Sequence, residues 1–286
     1  MSEPAAIARH SYGKSRVRLT KVTRHADRHD LAEVCVDIVL EGDFEASYLA
    51  GDNRSVVATD TMKNTVYALA ARHPLDAIEP FALALAEHFL GRHRHVCAAT
   101  VSIEQAPWQR IAGTDGAEHP HAFIAAGTAR RTCRVRGDRG TPTIEAGVDG
   151  LTVVKTAGSA FRDFVRDEFT TLPDVDDRIF GTAVEARWHY RPGARPDWNA
   201  VWSMICRTMV DVFAAHESLA VQQTLHEMGQ AALAACGDID EISLDMPNQH
   251  RIPVDLTPFG LANTNSIFVT TSEPYGLIRA TLRRKE

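Results

Sequence analysis

The side chains with the clearest chemical capacity fall in short polar clusters. Asn248 and His250 stand two residues apart in Met246-Pro247-Asn248-Gln249-His250, between two strand-like runs at 239–244 and 251–256. Alternate side chains on an extended chain share a face, so this carboxamide and imidazole can address one small molecule together. The same residue types also form turns and satisfied surface groups, and the pattern alone leaves both readings open. A second cluster, Val57-Ala58-Thr59-Asp60-Thr61-Met62-Lys63-Asn64-Thr65, follows an apolar step and leads into a helical pattern. Thr59 or Asp60 reads there as an N-cap that satisfies orphan amides, and a hydroxyl at a helix start is also well placed to relay a proton.

Other motifs exclude common chemistries. Gly13-Lys14-Ser15 has Ala8 where a phosphate loop needs its leading glycine, and no strand precedes it. No G-x-S-x-G elbow or G-x-G-x-x-G turn follows a strand, so hydrolase and dinucleotide-enzyme readings lose their usual support. The pairs His93/His95, His119/His121 and His25/His29 lack the third ligand of a metal site and read as surface groups; no metal is expected. Five scattered cysteines, 35, 97, 133, 206 and 236, form no C-x-x-C pair and read as reduced thiols. A formal charge of −6 argues against a general nucleic-acid binder. Residues 1–10 lack an apolar signal core, and no stretch has the length to cross a bilayer.

The elements that must carry these clusters follow from periodicity. Residues 12–23 alternate around Val17, Leu19 and Val22, and 32–44 around Val34, Val36 and Ile38, which predicts a hairpin that ends near Gly42-Asp43. Helical spacing follows over 61–72 and 76–90, the latter with Ile78, Phe81, Leu85 and Phe89 on one face after Pro74. Strands at 95–105 and 122–136 close this half. The second half repeats the order: strands 144–156 and 178–190, helices 197–215 and 218–236, strands 239–244 and 266–271. In helix 197–215, capped by Asp197, residues Val201, Met204, Ile205, Met209, Val212 and Phe213 are expected in the core. A strand-strand-helix-helix-strand-strand unit, present twice, predicts an α+β fold of antiparallel sheets with helices on one face. The polar turn-rich Gly137-Asp138-Arg139-Gly140-Thr141-Pro142 would link domains at 1–137 and 138–286. Such half-open sheets leave edges that other subunits commonly cover.

Eight ordered motifs then resemble one family, urate oxidase: Tyr12-Gly13-Lys14; Val57 to Asp60 with Lys63-Asn64-Thr65; Gly150-Leu151-Thr152-Val153-Val154-Lys155; Arg166 to Leu172; Asp177-Arg178-Ile179; Val221-Gln222; Pro247 to His250; and Gly276-Leu277-Ile278. The resemblance implies two tandem tunnelling-fold (T-fold) domains per chain and a homotetramer stacked into a barrel, with active sites between subunits. It implies conversion of urate, dioxygen and water to 5-hydroxyisourate and hydrogen peroxide, in purine degradation, without metal or organic cofactor.

By the same resemblance, Arg178 holds the urate anion through two parallel hydrogen bonds and Gln222 faces the opposite edge of the ring. Phe161 stacks on the purine plane, and Thr59, Asp60 and Val221 complete the substrate contacts. Lys14 acts with Thr59 as the base; a lysine that accepts a proton must start neutral. Asn248 holds dioxygen and later the attacking water, and His250 passes protons along the relay. Lys14 and Thr59 would come from one chain, and Arg178, Gln222, Asn248 and His250 from its neighbour.

Two departures stand out. Gln249 occupies a position where the family commonly has lysine, so a charge beside the site is missing. Eukaryotic members commonly end in a peroxisomal tripeptide, whereas the last residues here are Arg284-Lys285-Glu286, and a cytoplasmic enzyme of bacterial type is the expectation. The competing readings are a T-fold relative acting on a pterin or another purine, and a non-catalytic heterocycle-binding protein.

Overall fold

The computed structural model of the chain describes residues 5–285; residues 1–4 and Glu286, which the terminal readings above include, lie outside that range. β1 (Tyr12–Arg24) and β2 (His29–Gly42) form the expected antiparallel hairpin, with Val17 opposite Val36 and Leu19 opposite Val34. In β2, Ala32, Val34, Val36, Ile38 and Leu40 are buried and the residues between them half exposed, so a period of two turns one face to the core. The register slips between Lys14 and Val17, where Arg16 sits at φ 60°. Such a bulge bends the strand and re-aims its side chains, here directly after Lys14. A Cβ on Gly13 would fall 1.8 Å from the Ile38 carbonyl oxygen, so only glycine lets β1 approach β2 this closely.

Three helices follow: α1 (Glu45–Ala50), α2 (Thr59–Arg72) and α3 (Ile78–Arg92). The short α1 buries no residue of its own, which is why no amphipathic period announced it. α2 starts at Thr59, two residues before the helical spacing does, and the N-cap position belongs to Ala58, which makes no side-chain cap bond. The capping reading of Thr59 or Asp60 is therefore corrected. Asp60 lies inside the first turn, past the cap, and its carboxylate accepts from Lys63 and from Asn64 Nδ2 at 2.8 Å. In α3 the expected stripe Ile78, Phe81, Leu85 and Phe89 is fully buried.

β3 (Val96–Gln105) runs antiparallel to β2, and β6 (Arg130–Gly137) antiparallel to β3. Between them β4 (Trp108–Ala112) and β5 (Glu118–Ala125) make a separate two-stranded ribbon. The single strand expected over 122–136 is thus two, parted by a turn with Gly127 at φ 81°. Glu79 of α3 is buried against Arg131 of β6, which donates to both carboxylate oxygens at 3.3 and 2.7 Å and to the Trp198 carbonyl at 3.2 Å.

The second half begins with β7 (Thr143–Lys155), β8 (Phe180–Tyr190), α4 (Trp198–Ala215) and α5 (Val221–Ala235). The Asp197 carboxylate accepts from the Asn199 amide at 3.1 Å, the N-cap expected of it. Val201, Ile205, Met209 and Phe213 of α4 are buried as expected, but Met204 is exposed and Val212 only half buried, because the apolar stripe is wider than the face that packs. β9 (Ile239–Asp245), β10 (Asn248–Gln249), β11 (Arg251–Pro253), β12 (Phe268–Thr270) and β13 (Arg279–Arg283) complete the order. The strand expected at 266–271 is β12, but it pairs with β11 in a ribbon of its own; β13 lies antiparallel beside β9 instead. β11 ends at Pro253, three residues short of the expected run, although the Val254 amide still donates to the Ile267 carbonyl at 3.0 Å.

Residue packing divides the chain into two compact units, one reaching Ala146 and including His189–Asn199, the other comprising Gly147–Trp188 and everything from Ala200 onward. The division runs through β7, β8 and α4. In the first unit the strand order is β1-β2-β3-β6; in the second it is β7-β8-β9-β13, with β10 antiparallel along β8. The fold is α+β, with antiparallel sheets and few helices. Among the described residues no helix is long and apolar enough to cross a membrane.

Candidate active site

In the first unit, β1 carries Lys14 at its bulge, and the start of α2 carries Thr59 and Asp60. Thr59 and Asp60 are exposed and Lys14 is half buried. The first amides of a helix have no intrahelical acceptor and sit at the positive end of its dipole, so this end of α2 favours anions. The hydrogen bond from Lys63 and the charge of that ammonium, reinforced by the charge of Lys14, hold the Asp60 carboxyl below its usual range. Lys14 therefore lies within electrostatic reach of the residue beside Thr59. The loop before Thr59 is tied to β1 by the Tyr12 hydroxyl, which bonds both main-chain groups of Val57. In the sequence Tyr12 was only part of a motif; no spacing rule points from it to Val57.

In the second unit a main-chain zipper gathers the other candidates. The Phe161 amide donates to the Val175 carbonyl at 2.8 Å and Val175 returns the bond at 2.9 Å, while the Arg178 amide donates to the Ser159 carbonyl at 2.7 Å. On the other side of the same segment, the Ala160 amide donates to the Ser218 carbonyl at 2.7 Å and the Ser218 amide to the Gly158 carbonyl at 2.9 Å. Ser218 stands just ahead of α5, whose first residues are Val221, buried, and Gln222, exposed. The segments that carry Phe161 and Arg178 and the turn just ahead of Val221 and Gln222 are thus tied together by backbone bonds that the sequence did not reveal. The signal that was available, Gly158-Ser159 and Ser218 as turn formers, does not say what pairs with what.

The residues just before Arg178, Asp174-Val175-Asp176-Asp177, are acidic and offer its guanidinium salt-bridge partners as an alternative to an anion. The structure places those acids elsewhere: Asp174 pairs with Arg166 at 2.9 Å, Asp176 with Arg162 at 2.7 Å, and Asp177 accepts from the Ser159 amide at 3.2 Å. The Arg178 guanidinium instead lies over the Phe161 ring, 5.1 Å from its centroid, a cation–π contact. Burial lowers its pKa from the ordinary arginine value, the direction expected for a cation drawn out of water. Phe161 is also stacked with Phe164, centroids 4.9 Å apart and planes 9° apart.

β10 places Asn248 opposite Thr182 and Gln249 opposite Gly181, on the strand that begins just after Arg178. The Asn248 amide donates to the Gly276 carbonyl at 2.8 Å, and the His250 carbonyl accepts from the Thr271 amide at 3.1 Å. Both side chains are half buried. A planar guanidinium over an aromatic ring, the N-terminus of α5, a carboxamide on the strand paired with β8 and an imidazole just after it are residue types that can hydrogen-bond and stack with a flat, polar heterocycle. Among the described residues no group of three or more His, Cys, Asp or Glu is placed to hold a metal ion.

A family model described as uricase matches residues 10–136 and 144–279. The chain is 43% identical over 279 residues to a uricase of Arthrobacter globiformis, covering 98% of this chain and 90% of that relative. It is 35% identical over 290 residues to a uricase of Oryctolagus cuniculus, covering 99% and 96%. The crystal structure of uricase from Arthrobacter globiformis aligns with a TM-score of 0.93 at 42% identity, over 99% of this chain and 96% of that one. Because the similarity runs through both units and every segment that carries a candidate side chain, the chain belongs to the uricase family.

Proposed function

We propose that this chain is a urate oxidase that moves two electrons from urate to dioxygen, giving hydrogen peroxide, while water adds its hydroxyl to the oxidised ring as 5-hydroxyisourate. The observation that carries the reading is 43% identity to a uricase across 98% of the chain, with the ordered polar motifs inside that span. The pterin and scaffold alternatives have no comparable support.

Urate is an electron-rich planar anion, and loss of a second proton makes it a better reductant. The protein then has to position, deprotonate and stabilise charge. Arg178 and Gln222 grip opposite edges of the purine, and Val221 adds its main-chain amide at the N-terminus of α5, where an anion is favoured. Phe161 offers a face to the purine plane. Lys14 accepts a proton through Thr59, with Asp60 beside them, and Asn248 and His250 manage dioxygen, water and protons on the other side. In this reading no metal or organic cofactor takes part, and Gln249 brings no charge of its own beside His250, where the Arg251 guanidinium donates to the Gln249 and His250 carbonyls at 3.0 and 3.4 Å.

The assembly belongs to the proposal too. Two tandem T-fold domains, 1–137 and 138–286, would build a homotetrameric barrel with each site made by two copies. Support comes from the repeated strand-strand-helix-helix order and from large apolar side chains left exposed, among them Val165, Phe169, Phe259 and Leu261. Purine degradation in the cytoplasm suits five free cysteines. The direct test is the aerobic consumption of urate by purified protein in a chelating buffer, with peroxide measured in parallel. Stoichiometric urate loss and peroxide gain are expected, and an unchanged urate spectrum would overturn the reading.

A further inference from the structure

Tyr12 lies two residues before Lys14 on β1, opposite Leu40 of β2. Its hydroxyl donates to the Val57 carbonyl at 3.2 Å and accepts from the Val57 amide at 2.7 Å. One side-chain group thus satisfies both main-chain groups of a buried residue that stands two positions ahead of Thr59. The ring is held as firmly as its tip, edge-on to the buried Phe44 at 4.7 Å and 88°. Burial raises the phenol's pKa, so the hydroxyl keeps the proton it donates. At the far end of the same pair of segments, the charge of Lys14 reaches Asp60.

We propose that Tyr12 is a positioning residue for urate oxidation: its hydroxyl clamps the chain before α2 onto β1 and so sets the separation of Lys14 and Thr59. The inference rests on the relay roles given to those two residues under the proposed function. Proton transfer through a hydroxyl tolerates little misplacement, and an error on the order of 1 Å costs about a hundredfold in rate. A phenylalanine at position 12 keeps the ring contact with Phe44 but strands the Val57 amide and carbonyl in a buried position, and the chain must shift to rehydrate them.

The test compares urate turnover and amide hydrogen exchange in the assembled parent, Tyr12→Phe, Lys14→Met and the double variant. Tyr12→Phe is expected to lower kcat about tenfold with urate KM changed less than about twofold, and to speed exchange at residues 57–60 while β2 stays protected. In the Lys14→Met background the same change should cost nothing further, because no relay remains to misplace. Equal losses in both backgrounds, or unchanged exchange at 57–60, would overturn the clamp and leave the relay standing. Parent-like turnover by Lys14→Met would instead remove the relay itself, and with it the premise. Should Tyr12→Phe fail to assemble, Tyr12→4-aminophenylalanine keeps a donor for the Val57 carbonyl while weakening the acceptor for its amide. Faster exchange at 57–60 is expected there too, and parent-like exchange would count against the clamp.

Discussion

At the scale of single residues, the proposed roles separate by the kinetic quantity each one controls. With Lys14 and Thr59 proposed to act in proton transfer, Lys14→Met and Thr59→Ala should each lower kcat by about a hundredfold or more while the parent's assembly state persists. Steady-state kinetics with size-exclusion chromatography checks this, and parent-like rates in both variants would remove the relay. Arg178 is proposed to act in binding. Its fork geometry is lost in Arg178→Lys although the charge is kept, so urate KM should rise about tenfold with a smaller change in kcat. The two outcomes are opposite enough to distinguish a base from a grip. The residue types were legible in the chain, whereas the side-chain environment was not. Nothing in Asp174-Val175-Asp176-Asp177-Arg178 says that the aspartates go to Arg166, Arg162 and the Ser159 amide and leave the guanidinium over Phe161.

Elements decide how accurately those side chains are aimed. Gly13, the residue before Lys14, has no Cβ and so makes room for the Ile38 carbonyl just ahead of the bulge. Gly13→Ala should destabilise the protein by about 1–3 kcal/mol through that clash and should also depress kcat, because it moves β1 at the bulge. Chemical denaturation and turnover, measured together, check the pair of effects. The core of the first unit offers a sharper test in Glu79 and Arg131. Burial raises the Glu79 carboxyl above its usual range, and Arg131 works against that rise. A carboxyl with a raised folded-state pKa binds its proton more tightly folded than unfolded. Its stability contribution is therefore present below the unfolded carboxyl range and is lost as pH climbs through the folded value. Removing the partner in Arg131→Met should cost about 3–5 kcal/mol near neutrality, and lowering the pH toward the carboxyl range should recover part of the loss. Denaturation midpoints across that range decide it; a loss independent of pH would mean that Glu79 is not the group left uncompensated. Elements with strong period were readable in advance: β2 by its alternation, α3 by its stripe and α4 by its cap. α1 and the β4–β5 ribbon bury no face of their own and leave no such period in the sequence, and the strand pattern at β12 belongs to a small ribbon with β11, while β13 pairs with β9.

At the scale of the whole molecule, the side chains proposed to act together fall on two separate units of the chain. Lys14 and Thr59 belong to one, and Arg178, Gln222, Asn248 and His250 to the other. The second unit leaves Val165 at 95% and Phe169 at 82% exposure, a large apolar surface for a segment that also carries Arg166 and leads to Arg178. In the proposed assembly a neighbouring copy covers this surface, as in closed homo-oligomers. If each site is made by two copies, a Lys14→Met chain still offers an intact Arg178 and an Arg178→Ala chain an intact Lys14. Either variant alone is expected to be nearly inactive. Unfolding an equal mixture and letting it reassemble should restore about a quarter of the parent activity, because one site in four then draws each half from the variant that retains it. The matched control mixes Lys14→Met with Thr59→Ala, whose lesions fall on the same side of the site, and it should regain nothing. Recovery in the first mixture and none in the control assigns the two halves to different chains, whereas no recovery in either would place Lys14 and Arg178 in one site of one chain.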